Sequence, residues 1–139
     1  DDVILMEASV DGGAENLALA GWDLGELGRG YRRFTTMFEP LRVAAARATN
    51  IDPATAFIIR TLLIHEYRKI HLRDPLLPRS LLPTDWIGAR AYELCGTLYA
   101  RVFSAAEEFL TTTVTTRNGA FPSTSLAGLA RFARTGGGK

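Results

Sequence analysis

The residues that could do chemistry gather between positions 60 and 75: Arg60, His65, Glu66, Arg68, Lys69, His71, Arg73 and Asp74. Two histidines invite a metal or proton-transfer reading, and helix geometry opposes it. Six residues along a helix turn through about 600°, so the two rings point roughly 120° apart. Chelation from one helix needs a spacing of three or four, as in HExxH zinc helices. His71 and Asp74 are three apart and can pair, but neither a third ligand nor a nucleophile stands near them in the sequence. His65 shares a face with Ile58, Leu62 and Leu72, which predicts a hydrogen-bonded core histidine. Glu66 reaches Lys69 three residues on, the spacing of an ion pair on a helix surface. Arg60, Arg68 and Arg73 either pair within the scaffold or meet an anionic ligand, since the guanidinium fork fits phosphate and carboxylate alike. The chain contains no GxGxxG, GxxxxGK[ST] or GxSxG and no paired cysteines. No nucleophile stands beside a base, so the chain is expected not to be an enzyme, and a reading on His65 and Glu66 ranks last.

These residues need helices to hold them. Asn50-Ile51-Asp52-Pro53 is a helix start: Asp52 suits the N-cap and Pro53 the first helical position, where its missing N–H costs nothing. The helix is expected to run to about Arg73, stopped by Asp74-Pro75. Its first half is apolar nearly all round (Phe57, Ile58, Ile59, Leu62, Leu63, Ile64), which predicts the central, most buried helix. Upstream, Leu24, Leu27, Tyr31, Phe34, Phe38, Leu41 and Ala45 step by three and four, laying one apolar stripe along a helix. Pro40 removes a backbone donor there, so a kink or break is expected near residues 37–40.

Downstream, Pro75, Pro78 and Pro83 alternate with Leu76, Leu77, Leu81 and Leu82 in a stiff strap, its leucines expected to face inward. Thr84 is the expected cap of a third helix whose apolar side is Ile87, Ala91, Leu94, Leu98, Val102, Ala105 or Ala106, and Phe109. Residues 111–116, five threonines and a valine, are helix-poor, and Asn118-Gly119 signals a turn. A short helix from Leu126 to about Arg134 would follow, capped by Ser125. Val3-Ile4-Leu5-Met6, closed by Asp11-Gly12-Gly13, reads as one strand. The expected fold is therefore mainly α: a small bundle of three long helices with a Pro/Leu-rich strap, plus one N-terminal strand left from a preceding α/β domain. The corresponding limits are 1–13 for that end strand, 14–112 for the helical domain and 113–139 for a tail.

Composition bounds the function. With 139 residues, 47% apolar and 22% charged, the chain has the makings of one globular core. No apolar run approaches the ~18–20 residues that span a bilayer. Its first residues are acidic rather than basic, unlike a signal peptide. A lone Cys95 forbids an internal disulfide, and the expected location is cytoplasmic. The net charge of +1 hides an asymmetry, because residues 1–28 carry seven acids and no Lys or Arg, leaving sixteen bases against eight acids beyond. Lys69 and Lys139 apart, those bases are arginines, a bias that suits either anionic ligands or ordinary surface arginine.

The strap and its flanks resemble the C-terminal region of PaaX-like proteins, repressors of phenylacetic acid degradation. The residues that carry this are His65-Glu66-Tyr67-Arg68, Asp74-Pro75, Leu77-Pro78, Leu81-Leu82-Pro83, Asp85-Trp86 and Gly88, with Ala91 and Tyr99 beyond. Trp22, Leu24, Tyr31 and Phe34 match more faintly, so the resemblance covers about residues 20–110. Where the family's strap ends in Trp-Pro-Gly, Ile87 replaces the proline; both fit the first turn of a helix, so the fold should not change.

The resemblance implies a three-part repressor, with a winged helix for operator DNA absent from this chain, a small α/β middle domain and a helical C-terminal domain. It implies a homodimer whose repression phenylacetyl-CoA or a related acyl-CoA relieves, with no cofactor and no membrane contact. Such a ligand would need an apolar slot, for which Tyr31, Phe34, Tyr67, Trp86 and Tyr99 are candidates. It would also need cations for its phosphates: Arg60, Arg68 and Arg73, with His65 beside them. The alternative is a pure dimerisation scaffold, its interface along the stripe from Leu24 to Ala45.

Overall fold

A computed structural model describes residues 23–113, 115–116 and 119–120, and over these the chain is mainly α. Helix α1 spans Leu24–Arg47, α2 Pro53–His71 and α3 Gly88–Thr113, with a 3₁₀ turn at Arg79–Leu81 inside the strap. Residues Thr115–Thr116 (β1) and Gly119–Ala120 (β2) then form a two-residue antiparallel ladder, in which Gly119 has a φ of +110°, a conformation that glycine adopts without strain. The strand expected at Val3–Met6, the match at Trp22 and the helix expected from Leu126 lie outside the described residues.

The apolar stripe of α1 faces the core. Leu24, Leu27, Tyr31, Phe34, Phe38 and Ala45 are buried, and Leu41 stands at the margin. A stripe buried within its own chain cannot be a dimer interface, so the scaffold alternative loses the surface assigned to it. Asp23 caps the helix by accepting from the Glu26 N–H at 2.7 Å. The expected break at Pro40 does not occur, and α1 runs through it. Pro40 sits on the exposed side, where water can take the carbonyl that lost its donor.

Helix α2 starts as its sequence demands: Asp52 accepts from the backbone N–H and the hydroxyl of Thr55, both at 2.8 Å, with Pro53 opening the helix. It is not the central helix. Only Ala56, Leu63 and Tyr67 are buried, while Ile58 and Leu62 are exposed. The centre is α3, which packs against both other helices and buries Ala91, Leu94, Cys95, Leu98, Tyr99, Val102, Phe103 and Ala106. Small residues at 91, 95 and 106 explain this, because they let two neighbouring helices approach closely, whereas the large aliphatics of α2 exceed what one contact face can cover.

A further expectation is corrected at the start of α3. Thr84 does not cap it; residues 84–85 form a turn closed by the Trp86 N–H to the Pro83 carbonyl at 3.0 Å, and the helix opens at Gly88. The helix-poor threonines 111–113 nonetheless belong to it, and α3 runs to Thr113. Thr111 and Thr112 donate their hydroxyls to the carbonyls of Glu107 and Glu108, at 3.1 and 2.7 Å, which keeps these poor helix formers inside the last turn. In the strap, Leu77, Leu81 and Leu82 are half-buried as expected, but Leu76 points outward at a φ of +52°. Asp74 holds that conformation through Oδ1, which accepts from the Leu76 N–H at 2.9 Å. Finally, Arg101 of α3 donates to the carbonyls of Ala45 and Ala48 at 3.0 and 2.6 Å, closing the otherwise unpaired end of α1.

Candidate functional site

The aromatic and cationic candidates do not form one site. Tyr31, Tyr67 and Trp86 close on each other where α1, α2 and the strap meet. Tyr31 stands edge-on to Trp86 at 5.8 Å and tilted to Tyr67 at 6.3 Å, and Phe34 meets Tyr67 at 5.5 Å. Tyr31 donates its hydroxyl to Asp74 Oδ2 at 2.6 Å, tying the first half of α1 to the start of the strap. Burial, then this bond to a carboxylate, drives the Tyr31 phenol far above its usual range, and burial does the same to Tyr67. His71 stacks on Tyr67 at 5.2 Å and does not pair with Asp74 through its side chain; its Nδ1 is buried without a partner among the described residues. Cys95 lies in the same core, its thiol pushed up to about 12 by burial.

Four of the candidates meet elsewhere. Arg60, His65, Arg68 and Tyr99 line an open groove of 610 Å³ between α2 and α3, together with Ile64, Phe103 and Glu107. Its walls are two rows at helical spacing of four: Arg60, Ile64 and Arg68 on α2 with Leu72 just past its end, and Tyr99, Phe103 and Glu107 on α3. On the floor, Arg60 is paired with Glu107 and lies 5.7 Å from the centre of the Phe103 ring. The two side chains are only 14% and 17% exposed, and the second oxygen of Glu107 is buried without a hydrogen bond among the described residues. The rim is cationic: Arg68 is exposed with no carboxylate partner among the described residues, and Lys69 is held by Glu66 at 3.1 Å. His65 is on this rim, 65% exposed, and not the core histidine its apolar neighbours predicted, because Ile58, Leu62 and Leu72 are exposed as well.

Arg73 belongs to a second groove, of 530 Å³, between α1 and α2, where it faces Glu26 at 3.6 Å. Leu27, Phe34 and Ile70 form its apolar part, and Asp23, Glu26 and Glu66 balance Arg33, Lys69 and Arg73. The two grooves thus differ in charge, the first being cationic apart from Glu107 and the second neutral. Phe103 and Glu107 belong to this groove although no motif in the sequence singles them out. Their signal was the step of four from Tyr99, which places all three on one face of α3.

The family described as the PaaX-like protein C-terminal domain matches residues 22–112. The chain belongs to this family. It is also 38% identical over 143 aligned residues to a protein of Escherichia coli (strain K12) named transcriptional repressor PaaX. That alignment covers 99% of this chain but 44% of the relative, so the chain spans less than half of the curated protein it resembles. Both grooves, the strap and the aromatic cluster fall within the family match. No described helix is long and apolar enough to cross a membrane.

Proposed function

We propose that this chain is the effector-sensing and dimerising part of a PaaX-like transcriptional repressor, and that the groove between α2 and α3 takes the effector. Family membership across residues 22–112 carries the regulatory reading. In this reading residues 14–112 are the regulatory domain, 1–13 end a preceding domain, 113–139 are a tail, and a winged-helix domain elsewhere in a homodimeric cytoplasmic protein reads the operator. The effector is an acyl-CoA, with phenylacetyl-CoA the leading candidate.

The groove suits that chemistry on two counts. Ile64, Leu72, Tyr99 and Phe103 offer an apolar surface for an aryl or acyl group, and Arg60, His65, Arg68 and Lys69 offer donors for phosphates. Repression is relieved if the ligand binds one arrangement of the strap and helices better than the other; a tenfold preference moves that equilibrium by ~1.4 kcal/mol. Tyr67 in the core and Trp86 packed against it would then act on the ligand through the position of α2 and the strap rather than by touching it.

Titration calorimetry with phenylacetyl-CoA, against free CoA and phenylacetate, tests the reading. Saturable binding of the thioester alone places the sensor in these residues. No binding to a folded sample favours the second reading, a dimerisation scaffold. One observation supports that alternative: Ile58, Leu62, Leu72 and Leu76 are exposed on and just beyond α2.

A further inference from the structure

The floor of the groove contains a conflict that the effector reading leaves open. Arg60 is the most enclosed cation there, yet its guanidinium is already taken by Glu107. Glu107 is itself poorly served: one oxygen meets Arg60, and the other is buried with no donor among the described residues. A buried carboxylate oxygen without a donor destabilises the pair that holds it. The pair joins α2 to α3 across 47 residues of sequence, at the one acidic point in an otherwise cationic groove.

We propose that Arg60 is the anion-binding residue of this groove, and that Glu107 occupies it in the ligand-free chain as an internal competitor. A phosphate-type anion of the ligand takes over the Arg60 guanidinium, and Glu107 turns out towards water at the groove mouth, where both its oxygens can be hydrated. No covalent bond changes; one ion pair is exchanged for another. The exchange breaks a direct link between α2 and α3, so occupancy of the groove is felt by the helix pair that frames it. The proposal rests on the effector reading for the identity of the ligand, and on the groove's own residues for the exchange.

Two partners of one ion pair then have opposite effects on binding, which a merely structural pair would not show. If Glu107 keeps Arg60 free in only about a tenth of the molecules, removing the competitor tightens binding about tenfold. The experiment is calorimetry on the 139-residue chain and on E107Q, R60Q and R60K, with phenylacetyl-CoA, free CoA and inorganic pyrophosphate as probes. Circular dichroism melts establish that each variant is folded. E107Q is expected to bind phenylacetyl-CoA about tenfold more tightly, and R60Q at least tenfold more weakly. R60K, which keeps the charge and the fold should R60Q lose it, is expected to fall between R60Q and the parent.

Equal or weaker binding by folded E107Q overturns the competitor, while binding of phenylacetyl-CoA to the parent chain leaves the effector reading intact. If pyrophosphate shows the opposed effects and phenylacetyl-CoA does not bind, the exchange stands and the choice of effector falls. Absence of binding to both parent and E107Q with all three probes overturns both.

Discussion

Tyr31 and Arg60 each anchor a contact between elements through a carboxylate, one from α1 to the strap and one from α2 to α3, and the two contacts are built to opposite ends. Tyr31 is buried, gives its hydroxyl to Asp74 and packs its ring against Trp86 and Tyr67, so apolar contact and hydrogen bond reinforce each other. Arg60 is also largely enclosed, but it faces an open groove, and its partner Glu107 keeps one buried oxygen without a donor. A satisfied contact resists exchange, whereas an unsatisfied one beside an opening invites it. On the function proposed above, the strap junction serves stability and the α2–α3 groove serves recognition.

Tyr31→Ala strikes the closed side hardest. It removes a buried ring from between Trp86 and Tyr67 and leaves Asp74 without its phenol donor, so the loss should be ~3–5 kcal/mol. A chain with ~5–15 kcal/mol of stability then melts at a much lower temperature or fails to fold. A loss below 1 kcal/mol in chemical denaturation would mean that the junction does not hold the strap.

Gly88→Ala probes the same junction without removing anything. A Cβ at this position would lie 2.5 Å from Trp86 Nε1, too close for the indole to remain in place. Overpacking of this kind costs ~1–3 kcal/mol, and a blue or red shift in tryptophan emission should accompany the lower melting temperature. An unchanged melt would show that Trp86 can move aside freely. Tyr31→Phe is milder still, since the ring remains and only the bond to Asp74 is lost. Asp74 is half-exposed and water can replace the phenol, so a cost of about 1–2 kcal/mol is expected. If it equals the Tyr31→Ala loss, the hydroxyl rather than the packing holds the junction.

The closed side was also the side that could be read from the sequence. Its stripe from Leu24 to Ala45 follows helical spacing because a buried face must repeat with the helix, and Asp52-Pro53 marks a start because its chemistry is local. The groove was not legible as a unit. Arg60, Arg68 and Tyr99 could be named as candidates, but which of them share a space depends on how α2 turns against α3. That rotation is set by packing at Ala91, Cys95 and Ala106, where missing volume matters more than any motif. Apolar content misled in the same way. Ile58 and Leu62 look like core residues and are exposed, and their exposure carries His65 out to the rim with them. Pro40 misled because its effect depends on facing water, which composition does not record.

Arg68→Ala gives the smallest stability change and the sharpest separation of the two regions. The side chain is exposed and has no carboxylate partner among the described residues, so its loss should move folding stability by less than about 0.5 kcal/mol. It nevertheless stands on the rim of the groove, one turn beyond Ile64 and two beyond Arg60 on the same row. An exposed cation meeting a phosphate contributes up to about 1 kcal/mol, which corresponds to a roughly fivefold weaker affinity for phenylacetyl-CoA when it is removed. That loss should shrink as salt rises, because the interaction is exposed to screening. An unchanged melt with weakened, salt-sensitive binding is the signature of a recognition surface. A lowered melt with unchanged binding would return Arg68 to the scaffold and leave recognition to the enclosed Arg60 alone.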